Sequence, residues 1–517
     1  GGGGRWRNGP LQDIALEQMA AMKKFHELDI PHSGFYAEGA GATFFGEYKK
    51  EELYKVVSFG ERHGFKVFSW QFPNMTQELA QELLPECPKE ELPITRNKND
   101  EEEKLPVYID FSHPRAKELL AAQWKDRMDA GIRGSMVDFG DVVPDEAVFY
   151  DGRRGDEMHN AYAYQYAKNY RELFEQKYGD DHVLYTRGAA PGSQHFACQF
   201  GGDQLTSFQG LKYAIAGGLS AAASGLPFWG VDAGGYDGFP DQETYLRWTE
   251  YAAFCPLMRF HGTEPREPWE YDAFTVKVYR YYTWLRENLR PYIVSVAAEA
   301  HKLGIPMMRP LAMMYPEDQE ATKVWDEYLF GEDLLVAPVS DETEEREIYF
   351  PEGRWISLWN LNDEISGPVQ RSVEVPIDKI PVYIREGSFL PLRLNESLKL
   401  GESMSESETE MILAVVPQND SIVKETLYER SGAKTCCGME KNGETIQLQI
   451  SGRTAELYVM LAGIHWKNTE AIVNGRTLTK VTAREGLYFT EGYLELEEGI
   501  LVKINPSAES VIKIQKK

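Results

Sequence analysis

The 517-residue sequence has no apolar run of 18 residues, only five cysteines and no block of basic residues. A membrane-spanning helix needs about 20 consecutive apolar residues, so we expect none here. The cysteines are odd in number and form no C-x-x-C pair, which argues against a disulfide framework and against a zinc site. A reducing compartment is the expected environment.

Positive charge is also scarce: 55 Lys and Arg face 81 Asp and Glu, and the formal net charge is −26. A surface of this sign repels phosphate backbones, so we expect no nucleic-acid partner and a ligand that is neutral or small. No signal peptide is visible behind the four starting glycines, which are typical of a cloning remnant or a truncation. We expect a cytoplasmic protein with no membrane partner; its oligomeric state, a homo-oligomer included, stays open.

What the sequence does contain is an alternation of amphipathic helices and short apolar strands. Apolar spacing predicts helices over about 11–25, 50–63, 116–130 and 159–178. Strand candidates end near Glu38, Trp70, Asp138, Thr186, Gly202, Asp232 and His261. Strands in series with crossover helices predict an α/β fold, a (β/α)8 TIM barrel that lacks its first strand.

The predicted barrel covers residues 1–315 and carries an inserted segment at about 74–106, which is either a small subdomain or a solvated loop. Beyond about residue 314 the helical period stops, and short alternating runs bounded by Pro and Gly predict antiparallel strands. A polar stretch near residues 395–410 divides them. We therefore expect two C-terminal β-sandwich domains, over 316–397 and 398–517.

Four carboxylates follow predicted strands directly: Glu38, Asp138, Asp203 and Asp232. The carboxyl ends of barrel strands carry the active site, so we expect these acids to meet there with Arg187 and His261. A single strand-end aspartate is more often a helix cap, but four at successive strand ends favour a site. Paired carboxylates cleave glycosidic bonds: one traps an oxocarbenium-like centre while the other protonates the leaving oxygen.

Three aromatic residues stand near the same strand ends: Trp70, Trp229 and Tyr236. Such residues serve either as core or as flat faces for sugar rings. No His-x-x-x-His or similar cluster has the spacing of metal ligands, so we expect no metal ion. General acid and nucleophile chemistry requires no cofactor, and none is expected.

Six motifs between about Leu11 and Pro391 carry a resemblance to a known family. They are Val137-Asp138-Phe139-Gly140-Asp141, Arg187 sixteen residues before Asp203, Gly201-Gly202-Asp203, Asp232-Ala233-Gly234-Gly235-Tyr236, Met258-Arg259-Phe260-His261-Gly262 and Pro306-Met307-Met308-Arg309-Pro310. Together they resemble glycoside hydrolase family 31, the family of retaining α-glucosidases and α-xylosidases.

The resemblance implies a role for each matching residue. Asp138 is the implied nucleophile and Asp203 the implied general acid/base. The implied sugar-binding residues of the −1 subsite are Arg187, His261, Asp232 and Trp70. The family usually also carries an N-terminal β-sandwich and a first barrel strand; we expect neither within these 517 residues and expect the natural protein to extend further at its N-terminus.

Two positions depart from the family pattern. Glu38 stands where the family usually has an aspartate that holds a distal sugar hydroxyl. Met136 stands where typical α-glucosidases have tryptophan and some α-xylosidases have lysine, and methionine there resembles the sulfoquinovosidase branch. A carboxylate at Glu38 disfavours an anionic sugar by like-charge repulsion, so neutral α-sugars rank first.

The sequence thus predicts a retaining exo-α-glycosidase of the α-glucosidase or α-xylosidase type, acting on a small oligosaccharide or glycoside by double displacement. An α-galactosidase or sulfoquinovosidase of the same family is an alternative. A transglycosylase shares all the residues named. A barrel that binds sugar without turnover is the alternative from another class of protein.

Overall fold

The computed structural model describes residues 11–37, 49–95, 107–405, 410–453, 455–488 and 490–517. The chain divides into two compact units. The first comprises Gly1–Thr206, Ser224–Pro240 and Arg259–Glu270, and the second comprises Ser207–Ala223, Asp241–Met258 and Tyr271–Lys517. No helix in these described ranges is both long and apolar enough to cross a membrane.

Helices and strands follow one another up to residue 253, and two pairs of successive strands interrupt the predicted alternation. In chain order they are α1 (Leu11–Glu27), β1 (Gly34–Tyr36), α2 (Lys50–Arg62), β2 (Lys66–Gln71), β3 (Asn74–Met75), α3 (Gln77–Leu83), β4 (Val107–Tyr108), α4 (Ala116–Ala130), β5 (Gly134–Val137), α5 (Gly155–Tyr178), β6 (Val183–Thr186), β7 (Cys198–Phe200), α6 (Phe208–Ala223), β8 (Trp229–Gly230) and α7 (Gln242–Ala253). The four helices predicted from apolar spacing are confirmed as α1, α2, α4 and α5.

Six strands of the first unit form one parallel sheet in the order β1-β2-β5-β6-β7-β8. Strand β5 is buried at all four residues, as expected for a strand covered on both faces. Six of the seven predicted strands are therefore present, and in the described residues the sheet is open. The predicted strand ending at His261 is not formed. Instead, two separate backbone hydrogen bonds connect this segment to the loop after β8. The Ala233 N–H donates to Arg259 O at 3.0 Å, and the Thr263 N–H donates to Tyr236 O at 2.8 Å.

The inserted segment has its own local structure at both described ends. Strands β3 and β4 pair antiparallel, with Asn74 opposite Tyr108. Helix α3 begins behind Thr76, whose hydroxyl accepts the Leu79 N–H at 3.2 Å, and this satisfies one of the free donors of the first turn. The described part is thus more than a solvated loop; residues 96–106 lie outside the described ranges.

The second unit continues with two long helices and then strands. They are α8 (Ala273–Asn288), α9 (Arg290–Leu303), β9 (Met308–Pro310), α10 (Leu311–Met314), β10 (Tyr328–Phe330), β11 (Leu334–Val336), β12 (Glu345–Ser357), β13 (Glu364–Glu374), β14 (Val382–Arg385), β15 (Phe389–Leu394), β16 (Glu410–Val415), β17 (Ile422–Tyr428), β18 (Lys434–Asn442), β19 (Thr445–Ser451), β20 (Leu457–Ala462), β21 (Thr469–Val473), β22 (Arg476–Thr477), β23 (Gly492–Glu495), β24 (Gly499–Ile504) and β25 (Glu509–Lys516).

These strands form three sheets. The first is antiparallel, in the order β13-β12-β14-β11-β10-β9. The other two, β15-β16-β20-β24-β23 and β17-β18-β19-β25-β21-β22, contribute side chains to one apolar core, in which Val415 and Val459 meet Leu448 and Ile512. The C-terminal region is therefore built of β-sheets, as expected.

Candidate active site

The register of the parallel sheet places the candidate residues at one edge. Trp70 lies opposite Met136 on β5, and Val137 lies opposite Thr186 on β6. Asp138 and Arg187, each one residue further on, therefore leave the sheet at the same level. On β7 and β8, Phe200 lies opposite Gly230, so Asp203 and Asp232 follow at this edge. This is the carboxyl edge of the sheet, where α/β proteins bind ligands.

Asp138 is a buried carboxylate with three partners. Its side chain is 8% exposed. Trp70 Nε1–H donates to Oδ2 at 3.0 Å, and the Phe139 N–H donates to Oδ1 at 2.9 Å. Burial raises the pKa of Asp138 above its usual range, while the Arg187 charge and the Trp70 hydrogen bond act against this rise. These polar contacts therefore favour the ionised form of the buried Asp138 carboxylate.

Arg187 joins three carboxylates. Its Nε lies 3.6 Å from Asp138 Oδ1 and 3.2 Å from Asp141 Oδ1, and its Nη1 lies 3.6 Å from Asp203 Oδ2. The guanidinium also stacks over the Phe139 ring, with Cζ 4.2 Å from the ring centre. One cation thus contacts both predicted catalytic acids.

The environment of Asp203 differs from that of Asp138. The Asp203 side chain is 49% exposed. Gly202, just before it, has φ +75°, and a Cβ there would lie 2.7 Å from Arg187 Cδ. Glycine at this position therefore lets the backbone pass close to Arg187 and present Asp203 to solvent.

Asp232 is 1% exposed and forms an ion pair with Arg259 Nη2 through Oδ1. Burial raises its pKa to about 7, with the Arg259 charge opposing the rise. Its second oxygen, Oδ2, has no hydrogen-bond partner within the described part of the chain. The same holds for two nearby buried donors, Gln204 Nε2 and Trp229 Nε1. Buried polar atoms are normally paired, so three unpaired ones near the carboxyl edge of the sheet are unusual.

Arg259 is a site residue that the sequence prediction missed. Besides Asp232, its Nη1 lies 2.9 Å from Met136 Sδ. Its guanidinium stacks over the rings of Tyr185 (4.8 Å) and Phe200 (4.3 Å). Its position two residues before His261 in the fifth motif was the available signal. The structure thus connects the unusual Met136 to Asp232 through one arginine.

His261 lies among aromatic rings. Its ring centre is 5.0 Å from that of Tyr36 and 5.4 Å from that of Tyr236. The imidazole is 5% exposed. The predicted residues Tyr236 and His261 are therefore in contact, and Tyr36 joins them although the sequence did not single it out. Glu38, two residues after Tyr36, lies outside the described residues.

The arrangement pairs one buried and one accessible carboxylate around a cation, beside aromatic faces and unpaired polar atoms. It suits attack by one acid and proton transfer by the other on a neutral polar ligand. Across the described residues, no group of three or more His, Cys, Asp and Glu side chains could hold a metal ion.

Comparisons with known families agree with this picture. Residues 13–296 match the family model described as glycosyl hydrolases family 31 TIM-barrel domain, and residues 304–390 match the family 31 C-terminal domain. The chain belongs to glycosyl hydrolase family 31, and the resemblance predicted from its motifs is confirmed. The parallel sheet with its helices is the TIM-barrel domain of that family, followed by C-terminal β-sheet domains.

The curated proteins that this chain is similar to are named for several different activities. The chain is 32% identical to an isomaltosyltransferase of Sporosarcina globispora over 430 residues, 78% of this chain and 39% of that protein. It is 32% identical to an α-xylosidase of Emericella nidulans over 294 residues, 55% of this chain and 38% of that protein. Proteins named sulfoquinovosidase and α-glucosidase match at 32% and 28% identity. The chain spans about two fifths of the length of the first two relatives.

Solved structures show the same fold. A cycloalternan-forming enzyme from Listeria monocytogenes, in complex with a pentasaccharide, superposes with a TM-score of 0.86. The alignment covers 97% of this chain and 53% of that chain, at 22% sequence identity. At this identity the likeness concerns the fold, and it extends over nearly all of this chain.

Proposed function

We propose that the chain carries the catalytic machinery of a retaining α-glycosidase. Asp138 attacks the anomeric carbon while Asp203 gives its proton to the leaving oxygen, so the glycosidic C–O bond breaks and a glycosyl-enzyme ester forms. Asp203 then takes a proton from a water molecule whose oxygen attacks the anomeric carbon. The ester bond to Asp138 breaks, and the sugar is released with its α configuration retained. The observation that carries the proposal is that one guanidinium, that of Arg187, lies 3.6 Å from a carboxylate oxygen of both Asp138 and Asp203.

The difference in exposure supports this division of roles. A nucleophile must be ionised and positioned, and Asp138 is buried with two hydrogen bonds and the Arg187 charge on its carboxylate. A general acid/base must exchange protons with leaving group and water, and the Asp203 side chain is half-exposed. The opposite assignment would leave the acid/base without access to solvent.

Seven described residues are proposed to bind the sugar. They are Trp70, Met136, Arg187, Trp229, Asp232, Tyr236 and His261. The unpaired Asp232 Oδ2 and Trp229 Nε1 support them because a ring hydroxyl can donate to the first and accept from the second. We place Glu38 in the same group as a proposal from the sequence alone. The substrate class proposed is a neutral α-linked sugar, glucose or xylose first.

The test is hydrolysis of p-nitrophenyl α-glycosides of glucose, xylose, galactose, N-acetylgalactosamine and sulfoquinovose. We expect one neutral sugar to be cleaved, with the α-anomer as first product by proton NMR. Asp203→Ala lowers the rate by about 10²–10⁴-fold because general acid catalysis is lost, and added azide restores turnover. Asp138→Ala abolishes the covalent step and is not rescued in the same way.

Asp145→Ala is the matched control, since Asp145 is an exposed aspartate in the loop after β5. We expect its activity to match that of the wild type. A β-anomer as first product contradicts the retaining mechanism. If no glycoside is turned over while free sugars bind, the non-catalytic sugar-binding alternative replaces this proposal.

Transglycosylation is the second candidate function. The isomaltosyltransferase that matches 78% of this chain favours it. The two reactions share the glycosyl-enzyme and differ in whether water or a sugar hydroxyl attacks it. Product analysis with a malto- or isomalto-oligosaccharide as donor and acceptor separates them: longer oligosaccharides indicate transfer, and free monosaccharide indicates hydrolysis.

For the fold we propose a (β/α)8 barrel that lacks its first strand over residues 1–315, and two C-terminal β-sandwiches over 316–397 and 398–517. The matched ranges 13–296 and 304–390 support the first two divisions, and the core shared by two sheets supports the distal sandwich. Strand pairing argues for earlier boundaries. Strand β9 already belongs to the proximal sheet, and β15 pairs with β16 of the distal region.

A further inference from the structure

Arg266 is a buried arginine whose guanidinium binds backbone carbonyls of two segments. The residue is 1% exposed. Nη2 donates to Gly235 O at 2.8 Å and to Gly238 O at 2.6 Å, and Nε donates to Gly235 O at 3.1 Å. Nη1 donates to Glu264 O at 3.0 Å. The arginine therefore holds the loop 232–238, which contains Asp232 and Tyr236.

The loop is shaped for this cation. Gly234, Gly235 and Gly238 have φ values of +90°, +78° and +83°, a region that glycine adopts without strain. This backbone turns the carbonyls of the loop towards the guanidinium. A Cβ on Gly262 would lie 2.6 Å from Arg266 Cζ. The glycines thus allow the backbone to approach Arg266, and the charge-assisted hydrogen bonds from its guanidinium make the loop rigid.

The loop 232–238 in turn holds the loop 201–206, which carries Asp203. The Tyr236 N–H donates to Gln204 O at 2.8 Å. Leu205 and Asp237 form a parallel bridge. A Cβ on Gly235 would lie 2.5 Å from Thr206 Cα, so the two backbones are in direct contact. A shift of one loop must therefore move the other.

We propose that Arg266 is a positioning residue that orients Asp203 for proton transfer by holding the loop 232–238 against the loop 201–206. This role rests on the function proposed for Asp203. The Asp203 side chain is half-exposed, so the path of its backbone sets much of its direction. Proton transfer requires hydrogen-bond reach to the leaving oxygen, and a misplacement of about 1 Å costs about 10²-fold in rate.

The first test is the dependence of rate on the leaving group in Arg266→Lys, which keeps the charge and loses the planar fork. The phenolate of a phenyl glycoside is a poor leaving group and needs the proton from Asp203. The 2,4-dinitrophenolate of the matching glycoside of the same sugar leaves without that proton. We expect kcat/KM to fall about 10-fold or more for the phenyl substrate and about twofold for the activated one. Asp203→Ala should show the same pattern more strongly.

Arg309→Lys is the matched control. Arg309 is 0% exposed, belongs to the second unit and donates from Nε to Pro306 O at 3.0 Å. If a buried arginine has only a structural role, its loss lowers kcat/KM by the same factor for both substrates. The ratio of the two kcat/KM values then stays at the wild-type value. The same unchanged ratio in Arg266→Lys would overturn the proposal.

The second measurement does not depend on activity. Hydrogen exchange of the full chain is followed in peptides covering 201–206 and 232–238. In Arg266→Lys we expect exchange to rise about 10-fold in both, and in Arg309→Lys in neither. A rise confined to 232–238 shows that the loops are uncoupled and overturns the proposal. If Asp203→Ala shows no leaving-group dependence, the function proposed for Asp203 is wrong, and the role proposed for Arg266 is wrong with it. The exchange data still report in that case whether the two loops are coupled.

Discussion

At the scale of single residues, the state of Asp138 depends on opposing effects. Burial favours the neutral acid, whereas Arg187, the Trp70 indole N–H and the Phe139 N–H favour the carboxylate. Attack on an anomeric carbon needs the carboxylate. The three polar partners therefore set the lowest pH at which a nucleophile at this position can work.

Replacing Trp70 with Phe tests this balance. The Trp70 hydrogen bond stabilises the charged form of Asp138, so its loss raises the pKa of that group further. A hydrogen bond to a charged group is worth roughly the 1.4 kcal/mol of one pKa unit. We expect the acidic limb of the kcat/KM profile against pH to move up by about one unit.

Trp229→Phe serves as the comparison for this prediction. The Trp229 Nε1–H is buried without a hydrogen-bond partner in the described residues, Asp138 included. Its replacement should change kcat/KM at every pH and leave the acidic limb in place. An acidic limb that stays fixed in Trp70→Phe would show that the indole does not control the ionisation of Asp138.

At the scale of elements, the sheet depends on close approach of strands β2, β5 and β6. A Cβ on Gly134, the first residue of β5, would lie 2.1 Å from Val183 O and 2.6 Å from the Phe68 ring. The Phe68 ring therefore occupies the space that a side chain at Gly134 would need. This contact joins three strands at the end opposite the site.

Gly134→Ala should therefore destabilise the first unit. Overpacking of this kind costs about 2–3 kcal/mol, and a urea unfolding curve followed by tryptophan fluorescence measures it. The control is Gly438→Ala on β18, where a Cβ would make ordinary contact with Gln449 Cβ at 3.6 Å. We expect that change to stay within about 1 kcal/mol of wild type. Equal effects at both positions would contradict the packing argument.

At the scale of the whole molecule, the acidic composition includes buried carboxyl groups in the second unit. Glu250 is 1% and Glu327 is 3% exposed. Burial raises the pKa of each to about 8, against the opposing charges of Arg247 and Arg346. Between their usual pKa and 8, the folded protein thus holds protons that the unfolded chain releases.

This difference makes stability fall as pH rises. Below about pH 4.5 both states are protonated and the stabilisation is complete, and above about pH 8 it is lost. In the window between them we expect the free energy of unfolding to drop by about 1.4 kcal/mol per pH unit for each such group. Denaturant unfolding at pH 5, 6, 7 and 8 measures the slope.

Glu327→Gln isolates one contribution. The neutral amide cannot ionise, so the variant should gain stability relative to wild type as pH rises from 5 to 8. Glu320→Gln is the control, because the Glu320 side chain is 64% exposed and forms a surface ion pair with Lys323. Parallel curves for wild type and Glu327→Gln would contradict the prediction.

Much of this molecule follows from its sequence read locally. The helices α1, α2, α4 and α5 and six strands were predictable because apolar spacing reflects a property of each segment by itself. The positions of Asp138, Arg187, Asp203 and Asp232 beyond strand ends were predictable for the same reason, since each comes within three residues of the end of a strand. Their roles in the site stay a prediction. The family resemblance rested on such short motifs and was confirmed by the matched domains.

The tertiary structure decided what depends on residues far apart in the chain. The pairing of Arg259 with Asp232, its contact with Met136 and the hold of Arg266 on the loop 232–238 leave no periodic signal in the sequence. The difference in solvent exposure between Asp138 and Asp203 leaves no such signal either. Chain order alone sets neither distance nor solvent access, so only the packed strands and loops could show which carboxylate is enclosed and which meets solvent.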